Sequence, residues 1–117
     1  MTIERKQVGP RMSQIAIHGD TVFLAGITAE KRGGTSVTEQ TTEILARIDT
    51  LLAEAGTSKE QVYKATIWLR DIAAFGEMNA VWDQWVVPGH TPVRATVEAR
   101  LAFPDVLVEI QVEAAKA

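Results

Sequence analysis

The C-terminal third of the chain carries an arginine and a glutamate whose spacing could support chemistry. Residues 92–101, PVRATVEARL, alternate apolar and polar side chains, which is typical of a strand, and Arg94 begins the polar row. Glu109 follows in a second alternating stretch at 106–114. If the two strands form a hairpin with a tight turn at 102–103, Arg94 and Glu109 become diagonal neighbours on one face, about 7–8 Å apart at the backbone.

A guanidinium and a carboxylate on either side of a small gap could act together on a ligand. The planar guanidinium suits a carboxylate, which it can hold through two parallel hydrogen bonds. A carboxylate beside that ligand can position and deprotonate a water molecule. The pair would therefore suit hydrolysis of a small carboxylate-bearing compound. A surface ion pair, worth about 0–1 kcal/mol, explains the same two residues, and the local pattern alone favours it.

Length and composition limit the classes of protein to consider. A chain of 117 residues has the size of one domain, 1–117, and its 46% hydrophobic and 23% charged residues are ordinary for a globular protein. The absence of cysteine excludes a disulfide framework, thiolate zinc sites and a cysteine nucleophile. The net charge of −3 and the scattered basic residues argue against a nucleic-acid partner.

The chain also lacks the usual signs of membrane attachment or export. No apolar run approaches the roughly 18–20 residues that span a bilayer. The N-terminal segment MTIERKQVGP has no apolar signal-peptide core. Together with the absence of cysteine, these features predict a cytoplasmic protein with no membrane partner.

The elements that must position Arg94 and Glu109 follow from periodicity. Residues 36–39, SVTE, have the form of a capping box, and an apolar stripe with helical spacing follows them. Asp71 is a plausible N-cap for a second helix, which ends at 88–89. The strands are predicted at 3–8, twice within 11–28 around a turn at 18–20, at 61–69, at 92–101 and at 106–114. An α+β fold of two packed layers, a sheet backed by two helices, follows from this order.

Two further features invite other interpretations. His18 lies in a predicted turn and His90 in a loop, and neither the spacing nor any cysteine supports a metal site; His90 could still line the entrance of a cleft near Arg94. An apolar stripe on the second helix could stack on a ligand, but packing on the sheet explains it better. Its members are Phe75, Met78, Trp82 and Trp85.

Several short segments together resemble a known family. Residues 92–94, PVR, precede 108–110, VEI, which sets the arginine fifteen residues before the glutamate; 13–14 read SQ, 23–26 read FLAG and 75–79 read FGEMN. This pattern covers nearly the whole chain and resembles the Rid family, the YjgF-like reactive intermediate or imine deaminases, also called the L-PSP endoribonuclease family. The stretches IHGDTVFLAG and WDQWVVPGHTPVRATVEA look closest to its YoaB-like branch.

The resemblance implies a fold, an assembly and a reaction. The fold is a chorismate-mutase-like sandwich, with a mixed sheet of five to six strands backed by two helices. The assembly is a homotrimer with clefts between protomers. The reaction is hydrolysis of reactive 2-imino acids or their enamine tautomers, such as 2-aminoacrylate, to 2-keto acids and ammonia. It requires no cofactor and no metal.

The resemblance also implies roles for individual residues. Arg94 matches the arginine that holds the substrate carboxylate, and Glu109 matches the glutamate that orients the attacking water. Thr96 stands where many members have a cysteine whose main chain helps to bind the ligand. Gly26 matches a glycine whose backbone lines the cleft, and Asn79 matches a recurrent asparagine on the second helix.

Three positions depart from the family pattern. Met12 replaces a tyrosine, Ala25 replaces a serine and Thr96 replaces the cysteine. An imine is electrophilic and needs little beyond protonation and a placed water, so deamination remains compatible with these changes. The alternative is a non-catalytic protein that binds 2-keto acids in the same inter-subunit cleft. A ribonuclease follows only from the older family name, and the acidic balance argues against it.

Overall fold

A computed structural model describes residues 2–117, which form one six-stranded mixed sheet with two helices on one face. The elements are β1 (Ile3–Val8), β2 (Ser13–His18), β3 (Thr21–Leu24), α1 (Val37–Glu54), β4 (Val62–Leu69), α2 (Phe75–Trp85), β5 (Val93–Glu98) and β6 (Val108–Ala115). The sheet order is β1-β2-β3-β6-β4-β5. The predicted α+β fold of two layers is confirmed. None of the helices in these residues is long and apolar enough to cross a membrane.

The first helix begins where the sequence predicts it. The Ser36 hydroxyl accepts a hydrogen bond from the Glu39 backbone at 3.1 Å, and the Glu39 carboxylate accepts one from the Ser36 backbone at 3.1 Å. This capping box satisfies two of the backbone donors that a helix N-terminus leaves without partners. The apolar stripe behind it is buried against the sheet, and Gly56 follows the helix with a positive φ of 80°.

The predicted hairpin between the last two strands is wrong. Strand β4 lies between β5 and β6, pairing in parallel with β5 and antiparallel with β6. The segment between β5 and β6 is a loop rather than a tight turn. Arg70 donates to the carbonyls of Val106, Leu101 and Phe103 at 2.6–3.2 Å, and this hydrogen bonding carries the loop across the end of β4.

The two faces of the sheet differ sharply in burial. Along β6, residues 108, 110, 112 and 114 are buried beneath the helices. The intervening residues 109, 111 and 113 lie on the face opposite the helices, because successive side chains of a strand alternate. We call that second face the open face. Phe23 of β3 and the β5 residues Val93 and Val97 expose 39%, 71% and 46% of their surfaces.

The second helix packs as predicted along most of its stripe. Met78, Trp82 and Trp85 are buried, whereas Phe75 at the start of the helix exposes 41% of its surface. Asp71 accepts a hydrogen bond from the Ala73 backbone, but it caps a short 3₁₀ turn that precedes α2 rather than α2 itself.

Candidate functional site

Arg94 projects from β5 toward α2. In the sheet, Arg94 pairs with Ala65 of β4, which in turn pairs with Val112 of β6. Ala65 and Val112 are both buried on the helix side, so Arg94 lies on that side too. The Arg94 Nη1 atom donates to the Asn79 side-chain oxygen at 2.8 Å. Its Cζ atom lies 5.6 Å from the ring centroid of Phe75 and 5.4 Å from that of Trp82.

The Arg94 guanidinium has no carboxylate partner anywhere in residues 2–117. The ion pairs of this part of the chain involve Lys6, Arg32, Arg47 and Lys64 instead. An amide oxygen and two aromatic rings offset part of the cost of removing this charge from water without neutralising it. The ordinary ion pair considered from the sequence is therefore not what holds Arg94, and its charge stays available for an anion.

Thr96 lies two residues beyond Arg94 on the same face of β5. Its hydroxyl oxygen is buried and has no hydrogen-bond partner in the structure. Leaving a buried hydroxyl without a partner typically costs about 1–3 kcal/mol. We call Arg94, Asn79 and Thr96 the arginine half-site.

Glu109 projects from β6 onto the open face. Glu109 pairs with Trp68 of β4, which in turn pairs with Val97 of β5. The Glu109 carboxylate rests against Gly26, where any Cβ atom would overlap its Oε2 atom. Burial raises the pKa of the Glu109 carboxyl above its usual value, because desolvation disfavours the charged form. Among the described residues no cation pairs with this carboxylate.

Ala25 and Met12, two more of the predicted site residues, lie close to Gly26 in the chain and at the adjoining end of β2, respectively. Ala25 precedes Gly26, and its backbone donates to the Gln14 carbonyl at 2.9 Å, which extends the β2–β3 pairing. Met12 stands just before β2, at the same end of that strand pair, with 50% of its surface exposed. We call Gly26 and Glu109 the acid half-site; Ala25 adjoins Gly26 in the chain but packs against the core.

A single chain keeps the two half-sites apart. Arg94 and Glu109 point to opposite faces of the sheet, and β4 separates their strands. From the strand spacing and the offset in register, their backbones are about 14 Å apart. The prediction that both residues flank one hollow within one chain is therefore wrong, because it assumed the β5–β6 hairpin. Their proposed roles remain predictions.

Two concavities of the single chain include none of the half-site residues in their linings. A concavity of about 790 Å³ lies along the outer side of α1 and includes none of the predicted site residues. A smaller one of about 120 Å³ lies on the open face, lined by residues that include Gln111 and Glu113 of β6. The half-sites, by contrast, each hold a half-buried charged side chain without an ion-pair partner among residues 2–117.

The two histidines are the remaining candidates from the sequence, and neither belongs to a half-site. His18 ends β2 and is exposed, and the His90 ring forms a hydrogen bond with the Pro88 carbonyl at 3.3 Å. Within the described residues, no group of three or more histidine, aspartate or glutamate side chains could hold a metal ion. The sequence does not predict the contacts of Phe75 and Trp82 with Arg94, although their seven-residue spacing places both rings on one helix face.

Comparisons with known proteins agree on one family. A family model described as Endoribonuclease L-PSP matches residues 4–116. The RutC family protein YoaB of Escherichia coli is 42% identical over 115 residues, covering 98% of this chain and 99% of that protein. A RutC family protein of Haemophilus influenzae is 41% identical over 110 residues, covering 94% and 95%.

Solved structures agree as well. The crystal structure of a YjgF family member from Neisseria meningitidis superposes with a TM-score of 0.96 at 45% identity, covering 100% of this chain and 97% of that one. The resemblance read from the sequence segments, including its YoaB-like character, is confirmed.

Proposed function

The chain belongs to the endoribonuclease L-PSP family of YjgF and RutC proteins, and on that premise we propose that it hydrolyses reactive 2-imino acids and enamines to 2-keto acids and ammonia. One observation carries the proposal. A half-buried guanidinium and a half-buried carboxylate each lack a charged partner within the described chain, and they lie on opposite faces of the sheet. Two copies of the chain could bring them together around one ligand.

The proposed active site is therefore shared between protomers. Arg94 of one copy binds the substrate carboxylate, while Glu109 of a neighbouring copy positions the water. The exposed apolar side chains of the open face support such an assembly, since uncovered apolar surface is typical of subunit interfaces. A homotrimer with clefts between its protomers is the arrangement that we propose.

The chemistry needs few groups. Arg94 fixes the carboxylate through charge-assisted hydrogen bonds and so orients the C=N bond. Glu109 accepts a proton from water as the water oxygen bonds to the imine carbon, and it returns that proton to the nitrogen. Glu109 then takes the proton of the carbinolamine hydroxyl and passes it to the nitrogen as the C–N bond breaks, which releases ammonia and leaves the 2-keto acid. The raised pKa of Glu109 suits both transfers, because it brings the carboxyl closer to neutral pH. The carbon keeps its oxidation state, so the reaction needs no redox cofactor.

An amino-acid oxidase that generates the imine in situ provides the test. We expect Arg94→Ala and Glu109→Gln each to lower kcat/KM for imine loss by about 100-fold or more, with the oligomer intact. Arg100→Ala is the matched control, because Arg100 is an exposed arginine just beyond the same strand. Wild-type activity in Arg94→Ala would refute the assignment.

A non-catalytic 2-keto acid-binding protein is the second candidate. The identities of Met12 and Ala25 favour it, because the family resemblance implies a tyrosine and a serine at these positions and neither methionine nor alanine has a side chain that can donate a hydrogen bond. In that case pyruvate, the simplest of these acids, would raise the melting temperature in an Arg94-dependent way. Imine loss would stay at the background rate at every enzyme concentration.

A further inference from the structure

We propose that Phe75, Asn79 and Trp82 position Arg94 and keep its charge free for a ligand carboxylate. We call these three residues the α2 cradle. The inference rests on the proposed function, since it assigns the cradle to the arginine that would bind substrate. The cradle residues touch the guanidinium rather than the reacting atoms, so they are positioning residues.

The spacing of the cradle matches the size of the group that it holds. Its residues follow one another at intervals of four and three, which places all of them on one face of α2. Backbone positions seven residues apart lie about 10 Å apart along a helix axis. The Arg94 Cζ atom is 5.6 Å from the Phe75 centroid and 5.4 Å from the Trp82 centroid, so the guanidinium contacts both rings at once.

One side of the cradle is anchored in the core. Trp82 is buried, and its ring centroid lies 5.2 Å from that of Trp85. The Trp85 indole nitrogen in turn donates to Asp49 of α1 at 3.0 Å. This contact chain fixes the Trp82 ring from both helices, so the ring can hold the guanidinium in one orientation.

The cradle is neutral, and its neutrality is what leaves the charge available. A guanidinium has five N–H donors, and the hydrogen bond to Asn79 uses one of them. Aspartate has nearly the same shape as asparagine, but it would form a charged pair with Arg94 at the same distance. A purely structural contact would tolerate either residue, whereas a site for an external carboxylate requires the amide.

Asn79→Asp therefore separates positioning from packing. We expect it to weaken pyruvate binding, measured by calorimetry, by about tenfold or more. We also expect KM for the imine to rise more than kcat falls, while the melting temperature stays equal or increases. Gln84→Glu is the matched control, because it adds the same charge at an exposed position of the same helix.

The rings are tested in the same assays. Phe75→Leu should raise KM and the pyruvate Kd by about two- to fivefold. Phe75→Tyr should leave both constants near the wild-type values, because it keeps an aromatic face. Phe103→Leu is the control, because Phe103 is also exposed and also contacts an arginine, with 5.1 Å between the Arg32 Cζ atom and the ring centroid.

The outcomes distinguish this inference from the proposed function. If Arg94→Ala abolishes pyruvate binding but Asn79→Asp and Phe75→Leu behave like their controls, the cradle proposal is wrong and the function stands. If Arg94→Ala itself leaves binding and imine loss unchanged, the proposed function fails, and the cradle loses its purpose with it. Weakened binding in Asn79→Asp without loss of melting temperature supports the cradle.

Discussion

At the scale of single residues, the Glu109 carboxylate is notable because it packs directly against the backbone of Gly26. Its Oε2 atom occupies the space that a side chain on Gly26 would need. Burial raises its pKa, and no cation in the described chain offsets that effect. Both features are local to one chain, so each can be tested by a single substitution.

Gly26→Ala should separate activity from folding. The added methyl group must displace the Glu109 carboxylate, which is the end of a flexible side chain, so we expect stability to change by only about 1 kcal/mol. Loss of a correctly placed general base typically costs about 100-fold or more in kcat. Thermal unfolding and imine hydrolysis measured side by side check this, and full activity in Gly26→Ala would contradict the role given to the carboxylate.

The raised pKa of Glu109 predicts how stability depends on pH. Because the charged form is disfavoured only in the folded state, wild type loses stability as pH rises through the folded-state pKa. Glu109→Gln has no such charge, so its melting temperature should match wild type near pH 4 and exceed it at pH 8. A lower melting temperature for Glu109→Gln at pH 8 would mean that a cation pairs with the carboxylate in the assembled protein.

At the scale of elements, the local signals at the start of α1 predicted the structure correctly, whereas the pairing of distant strands was predicted wrongly. The start of α1 could be predicted because its capping hydrogen bonds join Ser36 and Glu39, which are close together in the sequence. The neighbours of β5 could not, because Arg70 and Gln40 hold the connecting loop from distant parts of the chain. The Gln40 side chain accepts from the Leu107 backbone at 3.0 Å and donates to the Asp105 carbonyl at 2.9 Å. The spacing of apolar residues along the sequence does not predict contacts between such distant residues.

The same limit explains what was predicted of the site. The residue types came from a motif, and Arg94 is a half-buried arginine without an ion-pair partner among the described residues, rather than half of the ion pair that the local pattern favours. Its distance from Glu109 depended on which strand lies beside β5, and inserting β4 between β5 and β6 placed the two side chains on opposite faces. The contacts with α2 depended on helix-to-sheet packing, which a stripe of apolar residues indicates without specifying its partners.

At the scale of the whole molecule, the single chain leaves its open face uncovered. Exposed apolar side chains from β3 and β5 lie there, on the same face as Glu109. A second copy packed against this face would bury that surface, and it could also bring its own arginine half-site toward the acid half-site. Assembly and activity would then depend on the same contacts.

A shared site makes a prediction that a site within one chain cannot make. Subunits carrying Arg94→Ala still supply Glu109, and subunits carrying Glu109→Gln still supply Arg94. If each site takes one residue from each of two neighbours, random equal mixing should give the wild-type pair in about a quarter of all sites, and in about a third of the sites of trimers that contain both variants. Two differently tagged variants, each inactive alone, should regain imine hydrolysis after co-expression and purification through both tags.

The control for this experiment is the double variant. Mixing Arg94→Ala subunits with subunits that carry both substitutions leaves no source of Arg94, so activity should remain at background. Recovery in the first mixture alone assigns the two charges to different copies, since mixing cannot repair a site that lies within one chain. If both mixtures stay inactive although the two tags co-purify, the half-sites do not combine across an interface, and the distance between Arg94 and Glu109 within one chain would then exclude them from acting on the same small ligand.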